Sequence, residues 1–198
     1  MAATPFRSIL IANRGEIACR ITRTARRLGY RTIAVHSPVD AHSPHVRLAD
    51  DAVLLGPDPA AQSYLSIERL IEAALSSGAE AVHPGYGFLS ENADFAQACL
   101  DAGLVFIGPS PEAIRVMGDK AVAKRRMVAA GVPCLPGYQG RDQSDEAFLT
   151  ASHSIGYPIM IKAAAGGGGR GMRRVETETE LIAALPLARS ESQQAFGA

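Results

Sequence analysis

Ser8-Ile9-Leu10-Ile11-Ala12-Asn13-Arg14-Gly15-Glu16-Ile17 is the stretch that decides the fold of this chain. Ser8 to Ala12 is a short, unbroken apolar run, the pattern of a strand covered on both faces. A turn follows at Asn13-Arg14-Gly15. From Glu16 to Leu28 the residues Ile17, Ile21, Ala25 and Leu28 recur at helical spacing, and Gly29 stops the helix. Thr32-Ile33-Ala34-Val35 is a second strand, so the chain opens as a strand–helix–strand unit. Crossovers of that kind join parallel strands and are right-handed.

The rhythm continues outward. Ala52-Val53-Leu54-Leu55 reads as a third strand, and Ile67, Leu70, Ile71, Ala74 and Leu75 as one face of a helix ending at Gly78. Ala79 to His83 returns as a strand, a helix runs from about Ala93 to Ala102, and Leu104 to Ile107 follows as a strand. Ser110-Pro111-Glu112 carries an N-cap, an N1 proline and an acidic first turn. Beyond Gly131 the pattern changes. Pro133, Pro136, Gly137 and Gly140 mark a linker or domain edge. Tyr157 to Lys162 is a strand, Ala163 to Gly171 a glycine-rich loop, Met172 to Val175 a returning strand, and Thr177-x-x-Glu180 a capping box. Pro186 is expected to kink or split the last helix. The fold class is α/β, a parallel sheet followed by a second, incomplete domain.

The 198 residues carry 20 Lys and Arg against 20 Asp and Glu, a formal net charge of zero. That balance lacks the basic excess of a nucleic-acid or membrane-surface binder. No apolar run approaches the roughly 18 residues of a membrane span, and the first residues lack a signal-peptide core. Cys19, Cys99 and Cys134 are widely spaced and odd in number, so they are expected to be free, mostly buried thiols in a reducing, cytoplasmic setting.

The strongest local feature is Gly166-Gly167-Gly168-Gly169-Arg170-Gly171. Glycines let a backbone approach a ligand closely, and successive N–H groups form an anion-binding concavity. Lys162, at the end of the preceding strand, adds positive charge. The same run also reads as a flexible surface linker, and its match to GxGxxG is weak because it lies between two strands. A second concentration, His83 to Asn92, leaves the carboxyl end of a predicted parallel strand, where α/β sheets bind ligands. Tyr86 and Glu91 offer polar groups to a pocket rim there, while His83 and Tyr86 serve equally well as residues that fix a turn. Lys120 opens a helix whose free N–H groups suit a phosphate, although a solvated lysine is the plainer reading. Lys124, Arg125 and Arg126 form a solvated face. Asp50, Asp51, Glu176, Glu178 and Glu180 do not converge on a metal site, and no nucleophile is announced.

Taken together, Ile11 to Ala18, His83 to Asn92, Phe106-Ile107-Gly108-Pro109, Met117-Gly118-Asp119-Lys120 and Gly156 to Met172 resemble biotin carboxylase, the ATP-dependent half of biotin-dependent carboxylases. The resemblance covers essentially the whole chain. It implies a Rossmann-like domain over residues 1–118 and the beginning of an ATP-grasp domain over 119–198. It assigns Lys120 and Lys162 to the nucleotide, Gly166, Gly167, Gly168 and Gly169 to the loop over its phosphates, and Met172 to packing near it. Tyr86 falls in the loop facing the carboxylation site. The implied reaction joins bicarbonate to the γ-phosphate of ATP and passes the carboxyl group to biotin on a carrier domain. A carboxyltransferase component and a homodimer or larger complex are the implied partners. The closest flavour is the α subunit of a branched acyl-CoA carboxylase. The family's magnesium-binding glutamates, and the residues that handle bicarbonate and biotin, are expected beyond Ala198, so the catalytic and metal residues are expected outside this chain.

Two other readings compete. A truncated module without activity would keep nucleotide binding or a subunit contact. An NAD-dependent oxidoreductase would use Asp40, at a suitable distance after the first strand, but the first turn has only Gly15 where a dinucleotide fingerprint needs several glycines.

Overall fold

The computed structural model describes residues 6–162 and 172–196. These fall into two compact units, residues 1–115 and 116–198. In the first, β1 (Ser8–Ile11) leads to α1 (Gly15–Arg27), β2 (Arg31–His36), the short α2 (Pro44–Leu48), β3 (Asp51–Leu54), α3 (Ile67–Ser76), β4 (Ala81–His83), α4 (Ala93–Asp101), β5 (Val105–Phe106) and α5 (Pro111–Gly118). All pairings are parallel, in the order β3-β2-β1-β4-β5. This is a doubly wound, Rossmann-like sheet.

β1 is buried along its whole length because its alternating residues feed two cores. Leu10 joins Ile33, Val35, Val82, Leu70 and Phe95 on one face. Ile9 and Ile11 join Ala18, Ile21 and Ala25 of α1 on the other. Each fully buried Leu or Ile contributes about 1.5–3 kcal/mol relative to exposure. α1 closes with paired bonds, Tyr30 N–H to Ala25 O and Gly29 N–H to Arg26 O, both 3.0 Å. That closure sets Gly29 at φ 85°, which a side chain would resist. Side-chain caps open the later helices: Ser66 accepts from Arg69 N–H, Asn92 from Phe95 N–H and Ser110 from Ala113 N–H.

The second unit contains α6 (Lys120–Ala129), α7 (Asp145–Ile155), the antiparallel pair β6 (Ile159–Ile161) and β7 (Arg173–Val175), and α8 (Glu178–Phe196). Val175, Leu181 and Leu185 form its core, with Phe148, Leu149, Ile159 and Ile161 against them. Thr177 accepts from Glu180 N–H at 3.3 Å, while the Glu180 carboxylate accepts from Glu176 N–H at 2.8 Å, so the expected capping box forms with its return bond one residue early.

Three expectations need correction, and α7 is an addition to them. α8 is not split at Pro186; Leu181 and Leu185, 1% and 2% exposed, anchor the helix on the preceding side of the proline. The proline- and glycine-rich stretch 133–140 lies inside the second unit, between α6 and α7, and does not divide the chain. α7 occupies a stretch with no strong apolar period; Ser144 caps it by accepting from Ala147 N–H, and Asp145 and Glu146 lie in its first turn. Cys134 is exposed, unlike Cys19 and Cys99. No described helix is long and apolar enough to cross a membrane.

Candidate functional site

In the first unit the turns after β1 and β4 meet at the carboxyl edge of the sheet. Since the strand order places β1 between β2 and β4, this is the point where successive connections diverge, the usual ligand crevice of such sheets. A cleft of about 340 Å³ opens there, lined by Asn13, Arg14, Gly15, Ile17, Tyr86, Gly87 and Phe88.

Asn13 is its hinge pin. The side chain is 3% exposed, and its Nδ2 donates to Pro84 O at 2.8 Å and Tyr86 O at 2.9 Å. Its Oδ1 accepts from Arg14 N–H at 2.9 Å. Gly85 N–H donates to His83 Nδ1 at 3.0 Å, which requires that nitrogen to be unprotonated. Burial holds the His83 imidazole below its ordinary range, in keeping with that role. Tyr86 projects outward, 62% exposed, and its hydroxyl donates to Glu16 Oε2 at 3.0 Å. That bond and the Glu16 charge raise the Tyr86 phenol above its usual value.

Arg14, Asp40, Tyr64 and Phe88 close a ring beside the cleft. The Arg14 guanidinium lies 5.4 Å from the Tyr64 ring centre and 5.9 Å from that of Phe88, and the two rings stack at 5.2 Å and 4°. Asp40 Oδ2 receives both Arg14 Nη1 at 3.0 Å and the Tyr64 hydroxyl at 2.7 Å. Burial pulls the Asp40 carboxyl up, but these bonds and the Arg14 charge outweigh it, and its pKa falls below the ordinary 3.8. Phe88 holds a left-handed φ of 41°, the one such non-glycine among the described residues. Asp40 is therefore consumed within the ring rather than held out for a ribose hydroxyl, which removes the oxidoreductase reading's key residue.

The second unit holds the other predicted site residues. The antiparallel register pairs Ile159 with Val175, Met160 with Arg174 and Ile161 with Arg173. One step further along that register sets Lys162 opposite Met172. Ile159 and Ile161 turn toward the core under α8. Met160 and Met172, 45% and 47% exposed, and Lys162 are left on solvent-accessible positions. Gly166, Gly167, Gly168 and Gly169 lie outside the described residues. Lys120 lies in the first turn of α6, where two N–H groups are already taken: Asp119 Oδ1 accepts from Ala121 at 2.9 Å and Val122 at 3.0 Å. Any contribution of Lys120 to phosphate binding would therefore come from its ammonium and not from the helix end.

Among the described residues no three His, Cys, Asp or Glu converge to hold a metal ion, so these residues do not by themselves fit magnesium. Glu91 does not line the cleft. Sequence reasoning missed Asn13, Arg14, Tyr64, Phe88 and Met160. The alternation of Met160 with Ile159 and Ile161 was the signal for the last of these.

The biotin carboxylase N-terminal domain model matches residues 5–114, and the ATP-binding domain of the carbamoyl-phosphate synthase L chain matches residues 119–198. The mitochondrial methylcrotonoyl-CoA carboxylase subunit alpha of Glycine max is 56% identical over 189 residues, 96% of this chain and 26% of that protein. The biotin carboxylase of a Nostoc species is 55% identical over 192 residues, 97% of this chain and 43% of that one. Among solved structures, the Campylobacter jejuni biotin carboxylase complex with β-γ-ATP superposes with a TM-score of 0.90 at 47% identity, covering 97% of this chain and 43% of that one. The biotin carboxylase domain dimer of Hydrogenobacter thermophilus 2-oxoglutarate carboxylase, solved with MgADP, ADP and bicarbonate, gives 0.88 at 45% identity, covering 98% and 43%. The chain thus spans from about a quarter to less than half the length of these relatives.

Proposed function

Because the chain belongs to the biotin carboxylase family by the match of its N-terminal domain over residues 5–114, we propose that it works as the amino-terminal part of an ATP-dependent biotin carboxylase. In this reading residues 1–118 form the Rossmann-like domain and 119–198 begin an ATP-grasp domain. The observation that carries it is the β6–β7 hairpin: its register leaves Met160, Lys162 and Met172 on the side not covered by α8, and in the sequence Lys162 and Met172 bracket the four-glycine run. Polarizable methionine side chains suit packing against an adenine ring, and a lysine beside a glycine loop suits phosphate oxygens.

The bond changes are simple. A bicarbonate oxygen attacks the γ-phosphorus, the bond to the β-bridging oxygen breaks, and ADP leaves with the released electron pair. The carboxyl group of the resulting carboxyphosphate is then taken by N1′ of biotin, with inorganic phosphate as the leaving group and as the acceptor of the N1′ proton. Little covalent help is required from the protein, so positioning and charge stabilisation carry the catalysis. Lys162 and Lys120 offset phosphate charge, and Gly166 to Gly169 cover the phosphates and exclude water that would hydrolyse the intermediate. Magnesium, when bound, supplies further neutralisation of phosphate charge. Tyr86, standing out from the cleft on a fixed loop, faces the carboxylation site.

The partners in this proposal are ATP, bicarbonate, a biotin carrier domain and a carboxyltransferase component, within a homodimer or larger assembly. Free Cys19, Cys99 and Cys134 fit a reducing, cytoplasmic setting. Lys162→Ala in the full-length subunit tests the nucleotide assignment. The ATP dissociation constant is expected to rise about tenfold or more, and an unchanged constant would return Lys162 to a solvated role.

A further inference from the structure

We propose that Asn13 is a positioning residue for the carboxylation step, holding residues 83–88 in the one backbone shape that presents Tyr86. The inference rests on the function proposed above for its catalytic consequence, although the clamp itself does not.

Three observations converge. Every polar atom of the Asn13 side chain is used, and both amide bonds reach across the cleft to Pro84 O and Tyr86 O, residues more than 70 positions away. The loop is cut to fit the amide. A Cβ on Gly85 would stand 2.8 Å from Asn13 Nδ2 and 3.1 Å from its Cγ, and Gly85 also holds φ +68°. The third observation is that the carbonyls held are those flanking Gly85, so their orientation fixes where the chain goes next, into Tyr86 and Gly87 on the cleft wall. The bond to Pro84 O is buried, and a buried carbonyl that loses its fixed donor is costly, so the loop loosens from this shape once the amide is gone. Asn13 never needs to touch substrate: it acts through the loop.

The experiment uses the full-length subunit and the variants Asn13→Asp and Asn13→Ala. Asn13→Asp keeps the shape but turns a carboxylate oxygen toward two carbonyl oxygens. Asn13→Ala leaves room for water to serve those carbonyls, and it carries the test if the aspartate variant does not fold. Two readouts are taken: hydrogen exchange of the amides of residues 85–88, and the kcat/KM for free biotin beside the KM for ATP. The clamp predicts faster exchange in the loop. It also predicts a kcat/KM for biotin lowered about tenfold to a hundredfold, as small misplacements near a reacting centre lower rates, with the KM for ATP unmoved. Unchanged loop exchange would overturn the clamp. A kcat/KM for biotin that is unchanged once corrected for the folded fraction, read from circular dichroism, would overturn the positioning role. If the unaltered subunit carboxylates no biotin, the proposed function fails, and the exchange measurement still decides the clamp.

Discussion

The Tyr64 hydroxyl donates to Asp40 Oδ2 at 2.7 Å and accepts from Ser37 N–H at 3.0 Å, so one buried phenol ties the end of β2 to the carboxylate that Arg14 pairs with. Burial, followed by the bond to Asp40, pushes the phenol up to about 12. Tyr64→Phe removes a donor and an acceptor at once and leaves the Ser37 N–H unserved, a loss of about 1–3 kcal/mol readable as a lower urea midpoint. Asp40 titrates below its ordinary 3.8 in the fold, so its contribution is full above that pH and is lost as pH falls toward the folded value. Asp40→Asn is therefore expected to flatten the acid limb of the stability profile below pH 3.8.

Gly85 and Gly103 share a positive φ, 68° and 75°, but differ in surroundings. A Cβ at Gly103 meets nothing within 4 Å, whereas at Gly85 it meets the Asn13 amide at 2.8 Å. Both alanine variants pay a left-handed penalty of about 1–2 kcal/mol. Gly85→Ala adds an overpacking cost of about 1–3 kcal/mol. Equal urea midpoints for the two would contradict the close fit.

The two sides of the β6–β7 hairpin are predicted to respond differently. Leu181 is 1% exposed in the core under α8, and Leu181→Ala is expected to cost about 2–5 kcal/mol. Met160→Glu, on the side away from that core, is expected to leave the melting temperature in place while weakening ATP binding. Paired thermal melts and nucleotide titrations on the full-length subunit separate these effects.

Pro186 stands inside α8, where its ring nitrogen donates no bond. Pro186→Ala restores the donor and removes the clash with the preceding turn. The variant is expected to be more stable by up to about 3 kcal/mol, shown as a raised melting temperature.

How far the sequence foretold this structure depends on the range over which each signal acts. Ile9-Leu10-Ile11 announces a doubly covered strand because both neighbours in the chain pattern agree, and Gly29 and Gly78 end their helices by purely local geometry. α7 escaped because Thr150, Ser152, His153 and Ser154 blur its apolar stripe. The cleft was half legible. Tyr86 stood in a recognisable loop, but the turn Asn13-Arg14-Gly15 was set aside for having too few glycines, when its work is done by side chains. Nothing local links Asn13 to Tyr86, or Arg14 to Tyr64 and Phe88; parallel pairing of β1 with β4 brings in residues 84–88, and pairing through β2 to β3 brings in Tyr64. The hairpin lysine was readable from its strand, whereas Met160 needed the register.

The central claim is tested most directly by supplying the full-length subunit with ATP, free biotin and labelled bicarbonate, and following ADP and carboxybiotin together. The account predicts that carboxybiotin forms with one ADP released for each carboxyl group transferred, and that Lys162→Ala suppresses both products in parallel at limiting ATP. Cleavage of ATP that ignores bicarbonate, or full carboxylation by the Lys162→Ala variant at limiting ATP, would contradict it.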